Sequence, residues 1–218
     1  MTGHTHSHTV EGAAQTEGRL IRWAPYYDLM VNITSLGHAS MLRRMTVDNA
    51  LIKDGDSVLD VGCGTGEVAL LAKTRAKAGK VYGIDPAPEM IAVARSKAAR
   101  KKLDVDFRVG VIETLPFPDA SLDVVTSSLM MHHLPEDLKA RGLAEVYRVL
   151  KPGGRLLIAD FMQPSHSIAN HLMMIFTRHQ GVQNGLEEVG MLLKDAGFSQ
   201  VSQLKGNVMV IGFMRAVK

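Results

Sequence analysis

The stretch SVLDVGCGTGEVAL at residues 57–70 decides the fold. Residues 57–61 form an apolar run that is typical of a buried strand, and a helical pattern begins at Glu67. Between them, glycines alternate at Gly62, Gly64 and Gly66. Glycines at a strand-to-helix turn let the backbone turn sharply and let a ligand lie against main-chain N–H groups. The stretch therefore predicts a βα unit with a nucleotide-like ligand at its turn.

Strand and helix patterns alternate after this unit. Four more strands are predicted over residues 81–84, 105–109, 122–127 and 155–161, with helices over 67–78, 87–101, 137–150 and 185–196. Two final strands, near 198–204 and 208–216, flank a Lys-Gly-Asn turn at 205–207 that tolerates positive φ. We therefore predict an α/β, Rossmann-like, doubly wound sheet of seven mostly parallel strands, with helices on both faces and a C-terminal antiparallel hairpin.

The length of 218 residues predicts one domain. Residues 1–15 are expected to be a mobile tail, and residues 16–218 a single domain. Within it we predict an N-terminal helical lid (16–50), a cofactor-binding core (51–161) and a substrate-side lid with the terminal hairpin (162–218). Three histidines on the tail, at positions 4, 6 and 8, form no preorganised site, so no metal is expected.

Composition narrows the class of function. The formal charge is only +3 and the basic residues are scattered among acids, so nucleic acid is not an expected partner. No apolar run reaches the roughly 18 residues that a membrane span needs, and the N-terminus has no signal-peptide pattern. Cys63 is the single cysteine and cannot form an internal disulfide. We expect a cytoplasmic protein, with the oligomeric state open and a homodimer as one option.

The spacing of the glycines and one carboxylate indicate the cofactor. A dinucleotide site uses G-x-G-x-x-G around a pyrophosphate, whereas this chain has G-x-G-x-G. Asp60 at the strand end would repel a pyrophosphate but can pair with the ammonium of an amino acid. S-adenosylmethionine has such an ammonium and no phosphate, so it is the predicted cofactor. Asp85, after the second strand, can accept the ribose hydroxyls, although its spacing alone fits NAD equally well.

Four segments, VLDVGCGTGEVAL, VYGIDPAPEMI, LPFPDASLDVV and VLKPGGRLLIAD, resemble the successive motifs of class I S-adenosylmethionine-dependent methyltransferases over roughly residues 57–160. The N-terminal YDLM at 27–30, with its spacing to Ser35 and His38, resembles the ubiquinone/menaquinone-biosynthesis C-methyltransferase (UbiE-like) group. Val111-Ile112 stands where that group has Asn or Asp followed by Ala. His132-His133 replaces its Arg-Asn pair, and Asp160 replaces its Glu.

The resemblance implies cofactor contacts for a defined set of residues: Tyr27, Asp60, Gly62, Gly64, Thr65, Asp85, Val111, Ile112 and Ser128. Three more candidates lie beside them. Pro86 follows Asp85, and Met90 is either an apolar wall for the adenine or ordinary core. Glu113 or backbone groups can contact the adenine amino group in place of the missing Asn or Asp.

The expected reaction is in-line displacement of the methyl group at the sulfonium, for which alignment and exclusion of water matter most. His132 and His133 follow the fourth strand and are candidate bases, although helix capping or packing explains them as well. The lack of a basic patch or an added recognition domain favours a small, largely apolar acceptor such as a quinone, phenol or heterocycle. Two alternatives remain, a non-catalytic module that binds adenosylmethionine and an NAD-dependent dehydrogenase.

Overall fold

The computed structural model describes residues 37–162 and 185–218. The helices in these ranges are α1 (Ala39–Asn49), α2 (Glu67–Ala76), α3 (Pro88–Lys101), α4 (Glu136–Val149) and α5 (Gly185–Asp195), with a 3₁₀ turn at Met131–His133. The strands are β1 (Val58–Val61), β2 (Val81–Asp85), β3 (Asp106–Val109), β4 (Leu122–Ser128), β5 (Leu150–Phe161), β6 (Ser199–Gln203) and β7 (Ile211–Val217). The predicted tail, the histidines at 4, 6 and 8, Tyr27 and most of the helical lid lie outside the described residues.

The strands form one seven-stranded sheet in the order β3-β2-β1-β4-β5-β7-β6. β1 to β5 are parallel, and β7 runs antiparallel to both β5 and β6. This confirms the predicted mostly parallel sheet with its C-terminal hairpin. The chain leaves the edge strand β3 and returns to β4 beside β1, so the strand order reverses between β1 and β4. In open α/β sheets, ligands bind beyond the carboxyl ends of the strands at such a switch point.

Side chains of the central strands alternate between two hydrophobic cores. Val58 packs into the core beneath α1, α2 and α3, whereas Leu59 packs into the core beneath α4 and α5. Both side chains are fully buried. Helices on both faces explain why the strand at residues 57–61 reads as a continuous apolar run rather than an alternating one.

The fifth strand begins earlier than predicted, at Leu150 instead of residue 155. Leu150 pairs with Leu122 and Arg155 pairs with Val124, so the Pro-Gly-Gly segment between them bulges out of the ladder. Gly153 takes a φ of +75° there, and its N–H donates to the carbonyl of Lys218. The Pro-Gly-Gly signal thus marks a bulge inside the strand and not its start.

The last strand begins later than predicted, at Ile211 instead of residue 208. Val208 and Ile211 exchange both main-chain hydrogen bonds, and Met209 between them has a φ of +55°. The connection therefore contains a second tight turn after the predicted Lys-Gly-Asn turn.

None of the helices in the two described ranges combines the length and the apolarity that crossing a membrane would require.

Candidate active site

The glycine loop, residues 61–67, connects β1 to α2 at the carboxyl edge of the sheet. Gly62, Gly64 and Gly66 all lie in the left-handed region, with φ values of +69°, +51° and +83°. A Cβ on Gly62 would also overlap Cβ and Cγ of Met130, which belongs to the loop after β4. Glycine is therefore required at position 62 both by the backbone conformation and by the available space.

Asp60 lies at the end of β1, beside the switch point. Its side chain is buried, and its Oδ1 accepts a hydrogen bond of 2.8 Å from the Thr126 hydroxyl of β4. Burial raises the pKa of Asp60 to about 7, although the hydrogen bond from Thr126 opposes that shift. A cation beside this carboxylate would reverse the effect of burial, so the position favours a positively charged ligand group.

Asp85 ends β2, the neighbouring parallel strand, and braces the glycine loop. Its Oδ2 accepts from the Gly64 N–H and its Oδ1 from the Ala87 N–H, both at 2.9 Å. Burial raises its pKa, and the two backbone hydrogen bonds lower it. Each carboxylate oxygen can accept a second hydrogen bond, so two ribose hydroxyls can still be accommodated. Pro86 lies between Asp85 and Ala87, in the short connection from β2 to α3.

A cleft opens between the glycine loop, α1 and the end of β4. It brings together five of the predicted cofactor residues: Asp60, Gly62, Gly64, Thr65 and Ser128. The sequence analysis did not identify the rest of its lining, which consists of Ala39, Leu42, Arg43, Cys63, Glu67, Val68 and Leu129. The first three come from α1, so this helix forms one wall of the cleft. No motif signals a helix contact of this kind across the chain.

Thr65 has a role that the sequence analysis missed. Its hydroxyl accepts a 2.9 Å hydrogen bond from the ammonium of Lys97 on α3, and that ammonium also lies 2.8 Å from a carboxylate oxygen of Glu67. Lys97 is 7% exposed, an unusual burial for lysine. The side chain of Thr65, a predicted cofactor residue, is thus held by the ammonium of Lys97 on the next helix.

The predicted adenine-side residues have different surroundings. Met90 is buried in a small cluster with Ala87. Ile112 is buried and its side chain contacts the position of Gly142 on α4, so that side chain serves the core. Glu113 lies in the same turn as Val111, and its Oε2 is buried with no hydrogen-bond partner in the described part of the chain. A buried acceptor of this kind is costly unless a ligand donates to it.

The two predicted histidines form a cluster with Asp160 at the ends of β4 and β5. His132 Nδ1 lies 2.7 Å from Asp160 Oδ1, and the His132 main-chain N–H donates to Asp160 Oδ2 at 3.2 Å. The His133 ring lies against the His132 ring, with 3.9 Å between centroids, and Phe161 packs edge-on against His132. The sequence analysis named the histidines but not the pairing of His132 with Asp160.

Comparison with known proteins agrees with this arrangement. Residues 58–154, which hold the glycine loop and both carboxylates, match the family described as a methyltransferase domain. The solved structure of an S-adenosylmethionine-dependent methyltransferase from Aquifex aeolicus superimposes with a TM-score of 0.65 at 27% identity, covering 85% of this chain and 96% of that one. Residues 58–154 are thus similar to methyltransferase domains, and the Aquifex aeolicus protein of the same fold is named as dependent on S-adenosylmethionine.

Two relatives of this chain have names that refer to quinones. A demethylmenaquinone methyltransferase from Thermus thermophilus is 43% identical over 65% of this chain and 63% of its own length. A ubiquinone/menaquinone biosynthesis C-methyltransferase UbiE from Geotalea daltonii is 34% identical over 68% of this chain and 64% of its own length. The chain thus spans just under two thirds of the length of these two curated relatives.

Proposed function

We propose that this protein transfers a methyl group from S-adenosylmethionine to a small, largely apolar acceptor of the quinol or phenol kind. The observation that carries the proposal is the buried carboxylate of Asp60 at the switch point, next to a glycine loop with no Cβ in the way. The relatives' names support the quinol part of the proposal.

Each part of the cofactor has a matching group in the site. The ammonium pairs with Asp60, the ribose hydroxyls bind Asp85, and the buried, unpartnered Oε2 of Glu113 accepts from the adenine amino group. Met90 is proposed as the apolar wall for the adenine, whereas the Ile112 side chain packs in the core. The bound cofactor supplies the methyl group as an activated electrophile, so the protein's main tasks are to align the acceptor and to exclude water.

The reaction side is proposed to lie beyond β4, at Ser128, His132 and His133. His132 and His133 are candidate bases for an acceptor that must lose a proton.

We also propose that residues 16–50 close over the cofactor, since Ala39 and Leu42 of α1 already line the cleft. We also propose that the protein is cytoplasmic, has no nucleic-acid partner and forms a homodimer. Light scattering after size-exclusion chromatography tests the homodimer.

Calorimetric titration tests the cofactor assignment. We expect micromolar binding of adenosylmethionine and adenosylhomocysteine and no comparable binding of NADH. Asp60→Ala and Asp85→Ala should each weaken the adenosyl ligands by at least tenfold, because each removes a charge-assisted contact of about 1.5–3 kcal/mol. Preference for NADH would overturn the proposal in favour of a dehydrogenase. Tight adenosyl binding without adenosylhomocysteine formation in a screen of quinols, phenols and heterocycles would favour the non-catalytic module.

A further inference from the structure

The cleft between the glycine loop and α1 is lined by charges of both signs. Asp60 and Glu67 are the acidic residues of this lining, and within the two described ranges Arg43 is its basic residue. The ammonium of adenosylmethionine is matched by Asp60. The amino-acid end of that molecule is a zwitterion, however, and its carboxylate needs a cation or N–H donors of its own when water is displaced. Arg43 is therefore the side chain whose role in the cleft has to be explained.

Arg43 lies on the face of α1 that borders the cleft. Ala39, Leu42 and Arg43 follow the spacing i, i+3 and i+4, which places them on one side of the helix, and all three line the cleft. The C-terminal end of α1 is tied to the sheet, because the guanidinium of Arg155 on β5 donates to the carbonyl of Ala50 at 3.4 Å. The Arg43 guanidinium thus extends from a helix whose backbone is fixed.

The acidic neighbour of Arg43 in the cleft, Glu67, is already balanced by the protein. Its Oε1 lies 2.8 Å from the buried ammonium of Lys97, and its Oε2 lies 3.4 Å from the ammonium of Lys101. Burial raises the pKa of Glu67, but Lys97, Lys101 and Arg43 together lower it below its ordinary value. Three cations act on one carboxylate here, so this side of the cleft is positive and attracts a second carboxylate.

We propose that Arg43 binds the carboxylate of the methionine moiety while Asp60 binds its ammonium. The inference rests on the proposed function and deepens it, because it makes the cleft selective for adenosyl ligands that have a complete amino-acid end. A guanidinium has five N–H donors in a planar fork and binds a carboxylate through two of them. The other donors serve contacts of Arg43 within the protein, so the side chain stays anchored when a ligand binds.

The test compares Arg43→Gln with the matched control Arg44→Gln. Arg44 is the next residue of α1, is exposed and is not among the residues that line the cleft. Calorimetry is carried out with adenosylhomocysteine and with its decarboxylated analogue, which keeps the ammonium and lacks the carboxylate. We expect Arg43→Gln to weaken adenosylhomocysteine by about 10- to 100-fold and the analogue by less than about threefold. Arg44→Gln should change neither affinity by more than about threefold.

Asp60→Asn is the reciprocal variant. It should weaken both ligands, since both have the ammonium, so the wild-type preference for the carboxylated ligand should persist in Asp60→Asn and disappear in Arg43→Gln. Arg43→Lys keeps the charge without the fork, and its loss should be intermediate. The affinity for 5′-methylthioadenosine, which lacks the whole amino-acid end, should stay within about threefold of the wild type in all Arg43 variants, because the adenosine part of the site is unchanged.

Three results would overturn the assignment of Arg43. They are an equal loss of the two ligands in Arg43→Gln, an equal effect of Arg44→Gln on adenosylhomocysteine, and a loss of 5′-methylthioadenosine binding in the Arg43 variants, which would show a structural role only. Failure of the wild type to bind adenosylhomocysteine would instead overturn the proposed function itself.

Discussion

Two carboxylates, Asp85 and Asp160, lie on different halves of the carboxyl edge of the sheet and are held in different ways. Asp85, at the end of β2, accepts from main-chain N–H groups, one of them in the glycine loop. Asp160, on β5, also accepts from main-chain N–H groups, but it contacts in addition the side chain of His132, which lies 28 residues away in the turn after β4. A group held by backbone depends on the path of the loop, whereas a side-chain pair depends on both partners. Under the proposed function the first half binds the cofactor and the second half holds the candidate bases, so changes in the first half should affect binding and changes in the second half should affect turnover.

The largest effect expected in the binding half comes from Gly62→Ala. The added Cβ would overlap Met130, and the alanine would have to adopt a backbone conformation that non-glycine residues rarely adopt. We expect a loss of about 10²-fold or more in adenosylhomocysteine affinity by calorimetry, and a loss of about 1–3 kcal/mol in the free energy of unfolding. Gly110→Ala is the matched control, since its Cβ would meet Ile84 only at an ordinary 3.7 Å. Equal behaviour of the two variants would contradict the tight packing inferred for the loop.

A smaller effect is expected from pH. The pKa of Asp60 lies at about 7, so folded molecules carry a proton on Asp60 below that value, whereas an ammonium ligand requires the carboxylate. Cofactor affinity should thus fall by about tenfold for each pH unit below 7, with up to one proton released on binding. The contribution of Asp60 to the free energy of unfolding changes with pH in the opposite direction. It declines as pH rises from about 4 to 7, because over this range the Asp60 carboxyl is already ionised in the unfolded chain but still protonated in the folded protein.

The matched control for the pH effect is a change of ligand. 5′-Methylthioadenosine lacks the ammonium, so its affinity should be nearly flat between pH 6 and 7.5. Thr126→Val should move the midpoint for adenosylmethionine to higher pH, because the hydrogen bond from Thr126 lowers the pKa of Asp60. An identical pH profile for the two ligands would show that another group titrates.

The smallest effect is expected from Lys97→Met. This change removes the ammonium behind Thr65 and leaves Glu67 with its longer contact to Lys101, at 3.4 Å. We expect about 1–3 kcal/mol of lost stability and roughly a fivefold loss in cofactor affinity, with kcat unchanged at saturating cofactor. Lys101→Met, at a half-exposed position, should cost less than about 1 kcal/mol. A greater loss in Lys101→Met would reverse the assignment of the buried contact.

The binding half was largely predictable because its signals are local. Asp60 and the three glycines form one contiguous motif, and the strand-to-helix rhythm places that motif at the end of a buried strand. Parallel strands end at the same edge, so Asp85 had to lie nearby. The buried state of Glu113 Oε2 could not be predicted in the same way, because it depends on how the turn after β3 packs.

The reaction half was predictable only as a list of residues. The sequence singles out His132 and His133, but the pairing of His132 with Asp160 depends on the alignment of β4 with β5, in which Ser128 pairs with Ala159. That register is set by core packing and by a Pro-Gly-Gly bulge whose place inside the strand has no local signal. The contact of Lys97 with Thr65 is similar, since lysine on a helix usually indicates a solvated face.

Met130 belongs to both halves, because its side chain fills the space above Gly62 and its neighbour in sequence begins the turn that carries His132. A ligand that displaces Met130 from the glycine loop would also move the start of that turn. Binding at the two halves would then be thermodynamically linked, and the factor by which the cofactor changes acceptor affinity would equal the factor by which the acceptor changes cofactor affinity. One methionine would in this way couple the two ligand sites without fixing which ligand binds first.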